Sequence, residues 1–152
     1  MAIEAKEWVD SYSKYKVNSQ IPDLTVGQMM EDVLWYIENY DWVTPVELER
    51  RYGEQGDGGH SLCLGKNMVV WTGMSEKLTT AILQLLEAKA IHSHPGSYLA
   101  YIIDGGGLKL PLAKRPPKGG YAKEHWVPLV FRSGPKCTAK GCLGWQRSKG
   151  ER

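Results

Sequence analysis

The chain has 152 residues, of which 42% are hydrophobic and 24% are charged, and its formal net charge is +2. This composition predicts one globular domain, and no apolar run approaches the roughly 20 residues that a membrane-spanning helix needs. The first residues lack a basic start followed by an apolar block, so no signal peptide is expected. Three cysteines without the spacing of a disulfide framework favour a reducing compartment, and we expect a cytoplasmic protein.

Charge is distributed unevenly along the chain. Residues 1–60 carry five bases and twelve acids, residues 61–104 carry three of each, and residues 105–152 carry eleven bases and two acids. A strongly basic segment predicts contact with an anionic partner. The alternative is a solvated tail without a partner.

Helical periodicity dominates the first third of the chain. Apolar residues at steps of three and four predict a short amphipathic helix over 4–16, followed by a linker that ends near residue 23. Thr25 and Gln28 fit a capping box at the start of a helix that runs to about residue 40. Thr44, Pro45 and Glu47 mark the start of a second helix, over about 45–52.

The middle of the chain predicts a third helix followed by a hairpin. A flexible glycine-rich loop over 53–59 leads to a strand over 67–71, and Ser75 caps a helix over 75–89. Strand formers begin again at residue 90, Pro95-Gly96 is a turn signal, and 97–103 is predicted as the second strand of the hairpin.

The last third of the chain is harder to assign to regular elements. Residues 108–112 predict one more short strand, and 126–131 predict an edge strand because Pro128 cannot donate to a ladder. Residues 133–152 are expected to be a basic, weakly ordered tail. We therefore divide the chain into an N-terminal helix and linker (1–20), a domain (21–112) and a basic C-terminal extension (113–152).

The order of the elements over 24–104 is similar to that of the winged-helix superfamily, which belongs to the helix-turn-helix proteins. The resemblance implies an α+β fold with a three-helix core and a β-wing, in which the third helix and the wing contact nucleic acid. About twenty residues separate the second and third helices, which is longer than the tight turn of a simple helix-turn-helix.

Candidate nucleic-acid-binding residues lie on the predicted third helix, in the wing and in the basic segment. Thr79, Thr80 and Gln84 are expected on the outer face of the helix, where short polar side chains reach base edges in a major groove. Lys77 is expected to hold a phosphate, and His94 to touch the backbone from the wing. The basic segment adds cations that neutralise phosphates; they are Lys109, Lys114, Arg115, Lys118 and Lys123.

These residues predict a small protein that binds double-stranded DNA as a regulator or accessory factor. Analogy of fold suggests that a phage or a plasmid encodes it. No enzymatic activity and no small-molecule substrate are expected. The alternative is a protein-interaction module or a homodimer, in which Leu83, Trp8 and Tyr12 lie in the interface.

Two histidines form the first candidate metal site. His92 and His94 are two residues apart on a predicted strand, so they point to the same face and can share a metal ion. The string His-Ser-His-Pro also resembles the centre of the JAMM metalloprotease motif, which implies a zinc-dependent hydrolase as a remote alternative. That motif requires a serine where this chain has Ile103, and Asp104 lies two residues before the expected aspartate. The histidines are otherwise expected to face solvent or phosphate.

Cys137 and Cys142 form the second candidate metal site. Four residues separate them, which is the upper end of the spacing in zinc-finger ligand pairs. Two further ligands are needed, and Cys63, His60 or His125 are the candidates. Two free thiols are the alternative, so no cofactor is expected unless a structural zinc ion binds here.

Overall fold

The computed structural model describes residues 21–53, 57–113 and 119–138, and this part of the chain has a mixed α+β fold, as the sequence predicts. The described helices are α1 (Val26–Tyr40), α2 (Pro45–Tyr52), α3 (Glu76–Glu87) and α4 (Tyr98–Asp104). The described strands are β1 (His60–Gly65), β2 (Met68–Met74), β3 (Ile91–Pro95), β4 (His125–Trp126) and β5 (Leu129–Ser133). The predicted helix over 4–16, with Trp8 and Tyr12, lies outside the described residues.

The three predicted helix starts are confirmed. The Thr25 hydroxyl accepts a hydrogen bond from the Gln28 N–H, and the Gln28 side chain accepts one from the Thr25 N–H, which completes the capping box. Thr44 caps α2 ahead of Pro45, and Ser75 caps α3. Each cap satisfies a backbone donor that the first turn of a helix leaves unpaired.

A β-hairpin occupies most of the stretch between α2 and α3. β1 and β2 pair antiparallel, and β4 adds to β2 in parallel. The sequence predicts a strand only over 67–71, so it misses β1, in which exposed and half-buried residues surround the buried Leu62. The long connection that the sequence shows between the second and third helices is thus filled by a sheet.

The second sheet pairs distant parts of the chain. β3 lies antiparallel to β5, with His92 opposite Arg132 and His94 opposite Val130. On the other side of β5, the backbone of Val43 exchanges two hydrogen bonds with that of Phe131. The predicted pairing of β3 with residues 97–103 is therefore wrong, because the partner strand comes more than thirty residues later.

Residues 97–103 belong to a helix. Ser97 caps α4 by accepting a hydrogen bond from the Leu99 N–H, and Gly105 ends it with a φ of 121°. Tyr101 is fully buried, and its hydroxyl both donates to the Leu129 carbonyl and accepts from the Leu129 N–H. These tertiary contacts outweigh the strand propensity of Tyr98–Ile103, which is a weak preference.

The predicted elements near the C-terminus are also corrected. Within 108–112, only Leu112 makes a strand-like bridge, to Trp126. The predicted strand over 126–131 is two strands interrupted at Val127 and Pro128. Because Trp126, Leu129 and Phe131 are buried in the same core as the helices, the expected boundary at residue 112 does not separate a domain from an extension.

The core is formed by residues of the helices and of both sheets. α1 packs against α3 through Met29, Val33 and Ile37 on one side and the predicted apolar stripe of α3 on the other. That stripe is confirmed; it consists of Leu78, Ala81, Ile82, Leu85 and Leu86. Among the described helices, none is long and apolar enough to cross a membrane.

Candidate functional site

The outer face of α3 presents a narrow polar strip. Gln84 is exposed, and Lys77 and Thr80 are half-buried. These residues are spaced by three and four positions, so they lie along one side of the helix. Leu83 is 43% exposed beside this strip.

The predicted position of Thr79 on this outer face is wrong. Thr79 is buried, and its hydroxyl donates a hydrogen bond of 2.9 Å to the Ser75 carbonyl. A threonine four residues after a cap can satisfy its hydroxyl within its own helix, so burial leaves no unpaired polar group. Thr79 therefore has no exposed surface for contact with a base.

The basic residues of the predicted DNA-binding segment lie in the connection between α4 and β5. Lys109 and Lys123 are exposed, whereas Lys114, Arg115 and Lys118 lie outside the described residues. Two sets of hydrogen bonds hold this connection to the first sheet. The backbone N–H of Trp126 donates to the Pro111 carbonyl, and the Asn67 side chain donates to the carbonyls of Tyr121 and Ala122. The basic segment is thus fixed at both ends.

The two histidines of β3 are buried, so the expectation that they face solvent or phosphate is wrong. His92 is 0% exposed and His94 is 1% exposed. As the two-residue spacing predicts, they share a face, and their Nε2 atoms are 3.1 Å apart. Burial, together with the nearby His92 and Arg132, lowers the pKa of His94, which favours its neutral imidazole.

Cys137 lies against the same pair of histidines. Its Sγ atom is 3.2 Å from His94 Nε2, and the donor atoms of the three side chains all lie within 4.8 Å of one another. The contact forms because the chain turns at Gly134, whose N–H donates to the Ala90 carbonyl, and returns along β3. Cys142, the predicted partner of Cys137, lies outside the described residues.

The other candidate ligands for the cysteine pair lie elsewhere in the fold. Cys63 and His60 are on β1, and His125 stacks on Tyr121 at a ring separation of 3.6 Å. Within the described residues, the group that combines three possible metal ligands is His92, His94 and Cys137. The structure therefore joins parts of two predicted sites into one.

Asp104, which lies two residues before the aspartate position of the JAMM motif, does not join this cluster. It is buried, and one of its carboxylate oxygens accepts a hydrogen bond of 2.6 Å from the Thr44 hydroxyl. Asp104 thus connects α4 to the cap of α2. The arrangement gives no support to a zinc-dependent hydrolase that uses His92, His94 and Asp104.

Three residues around the cluster are missed by the sequence analysis. The Arg132 guanidinium donates one hydrogen bond to Cys137 Sγ, at 3.2 Å, and two to the Asp41 carboxylate. The hydrogen bonds from Arg132 hold the pKa of Asp41 below its usual range. Trp42 packs its ring against both Arg132 and His94.

The segment that carries Asp41 and Trp42 has an unusual backbone. Both residues have positive φ angles, of 57° and 50°, which non-glycine residues seldom adopt. Strain of this kind persists only where the surrounding contacts over-determine it. Here, the two hydrogen bonds to Arg132 and the ring contacts of Trp42 provide those contacts. The sequence indicates this backbone conformation only weakly, since Tyr-Asp-Trp predicts no more than the end of a helix.

Comparison of the chain with family models, with curated proteins and with solved structures finds no match.

Proposed function

We propose that this protein is a winged-helix protein that binds double-stranded DNA. The observation that carries the proposal is the order of elements around the second sheet. α1, the short strand at Val43, α2, α3, β3 and β5 occur in the order helix, strand, helix, helix, strand and strand, with the β1–β2 hairpin before α3 and with α4 and β4 between β3 and β5. Without these additional elements, the order is similar to that of a winged helix, which supports the proposal.

In this proposal, α3 is the helix that enters the major groove. Lys77, Thr80 and Gln84 form its exposed polar strip, and side chains of these types contact phosphates and base edges. The helix carries Glu76 and Glu87 as well, so it has no excess of positive charge. In this proposal α3 contributes to recognition of the base sequence, and other residues supply the electrostatic affinity for the phosphate backbone.

The connection between β3 and β5 takes the place of the wing. This connection spans residues 96–128. Six bases and one acid, Glu124, lie between residues 105 and 132, and five of these six bases belong to the connection. Lysine and arginine in such a segment bind along the phosphate backbone and release counterions. His94 is buried at the base of this wing, so it is no longer proposed as a phosphate contact.

The salt dependence of binding tests this proposal. Anisotropy of a labelled random-sequence duplex is measured with the full chain between about 50 and 200 mM salt. If five bases of the wing each contact a phosphate, the slope of log K against log salt is about −4.5, which lowers affinity roughly 500-fold over this range. A flat salt dependence, or no binding at the lowest salt, would contradict the proposal.

A matched pair of triple variants locates the contacts. Lys114→Ala/Arg115→Ala/Lys118→Ala is expected to reduce the magnitude of the slope by about 3, because each lost phosphate contact removes about 0.9. Lys14→Ala/Lys16→Ala/Lys89→Ala removes the same charge outside the wing and is expected to leave the slope nearly unchanged. Equal effects of the two variants would indicate nonspecific attraction by net charge.

A second candidate function is self-association through α4. Its outer face is apolar, with Leu99, Ile102 and Ile103 exposed by 53%, 52% and 72%. Adjacent exposed apolar side chains of this size are typical of protein interfaces. Leu83 is a further exposed apolar residue, on α3.

Light scattering after size exclusion tests self-association. The wild-type chain is expected to form a dimer as its concentration rises, and Ile103→Asp to remain monomeric with an unchanged circular dichroism spectrum, since a charge cannot be buried unpaired in an apolar interface. Leu83→Asp tests α3 in the same way. A wild-type mass that stays monomeric at every concentration would exclude this function.

A further inference from the structure

We propose that His92, His94 and Cys137 bind one zinc ion, through the Nε2 atoms of both histidines and the Sγ atom of the cysteine. This site is independent of DNA binding by α3 and the wing. Imidazole nitrogen and thiolate sulfur are the donors that zinc prefers in proteins. The three donors come from β3 and from the turn that follows β5.

Hydrogen bonding prepares His92 to act as a ligand. Its Nδ1 atom is 2.8 Å from the Gly134 carbonyl, which can only accept a hydrogen bond, so Nδ1 carries the proton in the neutral ring. The Nε2 atom of His92 therefore carries the lone pair of the ring, and it faces His94 Nε2 at 3.1 Å. A backbone carbonyl that orients a histidine in this way is the usual second partner of a zinc-bound imidazole.

Two of the three donor separations are close to those around a tetrahedral ion. Zn–N bonds of about 2.0 Å and Zn–S bonds of about 2.3 Å place two nitrogen ligands about 3.3 Å apart, and a nitrogen and a sulfur about 3.5 Å apart. The observed separations are 3.1 Å between the two Nε2 atoms and 3.2 Å between His94 Nε2 and Cys137 Sγ, and the remaining pair lies within 4.8 Å. A shift of the half-buried Cys137 side chain would bring the sulfur to bonding distance of an ion held by both histidines.

The charges around the cluster also suit a bound thiolate. A thiolate is the form of cysteine that binds a metal, and Arg132 donates an N–H to the Cys137 sulfur. Asp41 forms an ion pair with the same guanidinium at 2.7 Å, so Arg132 does not act as an unpaired cation beside the ion. Asp41 and Arg132 thus form an outer shell around the cysteine ligand.

Burial of both histidines would shield the ion from solvent, and the three protein ligands leave its fourth tetrahedral position to another ligand. An ion at this position would tie the turn over 134–138 to β3, and it would hold together two strands that are distant in sequence. Such a site forms only when the chain is folded, so zinc binding stabilises the folded state.

Metal titration of the full chain tests the proposal. The protein is purified with a thiol reductant, stripped of metal and titrated with Zn²⁺ against a chromogenic chelator. One ion per chain, with a submicromolar dissociation constant and a higher melting temperature, is expected. Titration with Co²⁺ is expected to give the visible bands of tetrahedral cobalt and a sulfur-to-cobalt charge-transfer band. Weaker than micromolar binding, or cobalt bound without the sulfur band, would overturn the proposal.

Substitutions identify the ligands. His92→Ala and Cys137→Ser are each expected to weaken zinc binding by more than about 100-fold, since loss of an outer-shell partner alone costs 10–100-fold. His125→Ala and Cys63→Ser are matched controls that remove the same donor types elsewhere, and they are expected to bind as the wild type does. Because Cys137 is half-buried, Cys137→Ser should fold normally, which its circular dichroism spectrum checks. An equal loss in either control, or unchanged binding by folded Cys137→Ser, would refute the assignment.

Discussion

Replacing Asp32 by alanine is expected to lower the free energy of unfolding by about 3–5 kcal/mol. Asp32 lies on α1, where it is 1% exposed. Its carboxylate accepts hydrogen bonds from the Arg51 guanidinium, at 3.0 and 3.4 Å, and from the Tyr52 hydroxyl, at 2.6 Å. Without Asp32, the Arg51 cation, which is 5% exposed, loses the carboxylate that pairs with it inside the protein.

Urea unfolding followed by circular dichroism measures this effect, with two variants for comparison. Tyr52→Phe removes one hydrogen bond to the same carboxylate and is expected to cost about 1–2 kcal/mol. Asp23→Ala removes an exposed carboxylate and should stay within about 0.5 kcal/mol of the wild type. A cost below about 1 kcal/mol for Asp32→Ala would mean that the other contacts of Arg51, such as its stacking on Tyr36, compensate for the lost carboxylate.

Replacing Phe131 by alanine is also expected to cost about 3–5 kcal/mol. Phe131 is 1% exposed and lies at the centre of β5, between Ser93 of β3 and Val43. A cavity at this position would remove contacts between both neighbouring strands and the helical core. The prediction also tests whether the segment after residue 112 belongs to the folded domain.

Urea unfolding also measures the effect of Phe131→Ala. Two further variants separate the effect of the lost side-chain volume from the effect of its buried position. Phe131→Leu keeps most of the buried volume and is expected to cost less than about 1.5 kcal/mol. Glu38→Ala truncates an exposed side chain outside the proposed interface and should have little effect. If Phe131→Ala were no more costly than Glu38→Ala, β5 would not contribute to the core.

Local signals account for the helices that the sequence predicts correctly. The caps at Thr25, Thr44 and Ser75 act within four residues, and the apolar stripe of α3 needs only helical periodicity to be recognised. α4 has a similar cap at Ser97, but its strand-forming residues conceal it. The decisive contact, between the Tyr101 hydroxyl and Leu129, joins residues 28 positions apart and has no local signature.

The candidate metal site was predictable only in part. The same-face arrangement of His92 and His94 follows from their spacing on a strand. Cys137 is brought to them by the pairing of β3 with β5, which the sequence analysis assigns to a different partner. The contribution of Arg132 and Asp41 was not foreseen, because an ion pair across 91 positions depends wholly on tertiary structure.

The sequence by itself determined α1, α2 and α3 with their caps, the buried face of α3, the α+β class and the concentration of bases after residue 104, because each depends on neighbours along the chain. The tertiary structure decided which strand pairs with β3, that Thr79 and His94 are buried, and that His92, His94 and Cys137 converge. Strand pairing joins residues that are far apart in sequence, and the hydrophobic pattern of one strand does not specify its partner. Strand pairings that are equivalent locally differ in the core that they form, and the pairing of β3 with β5 is selected because it buries Tyr101 and Phe131 in one shared core.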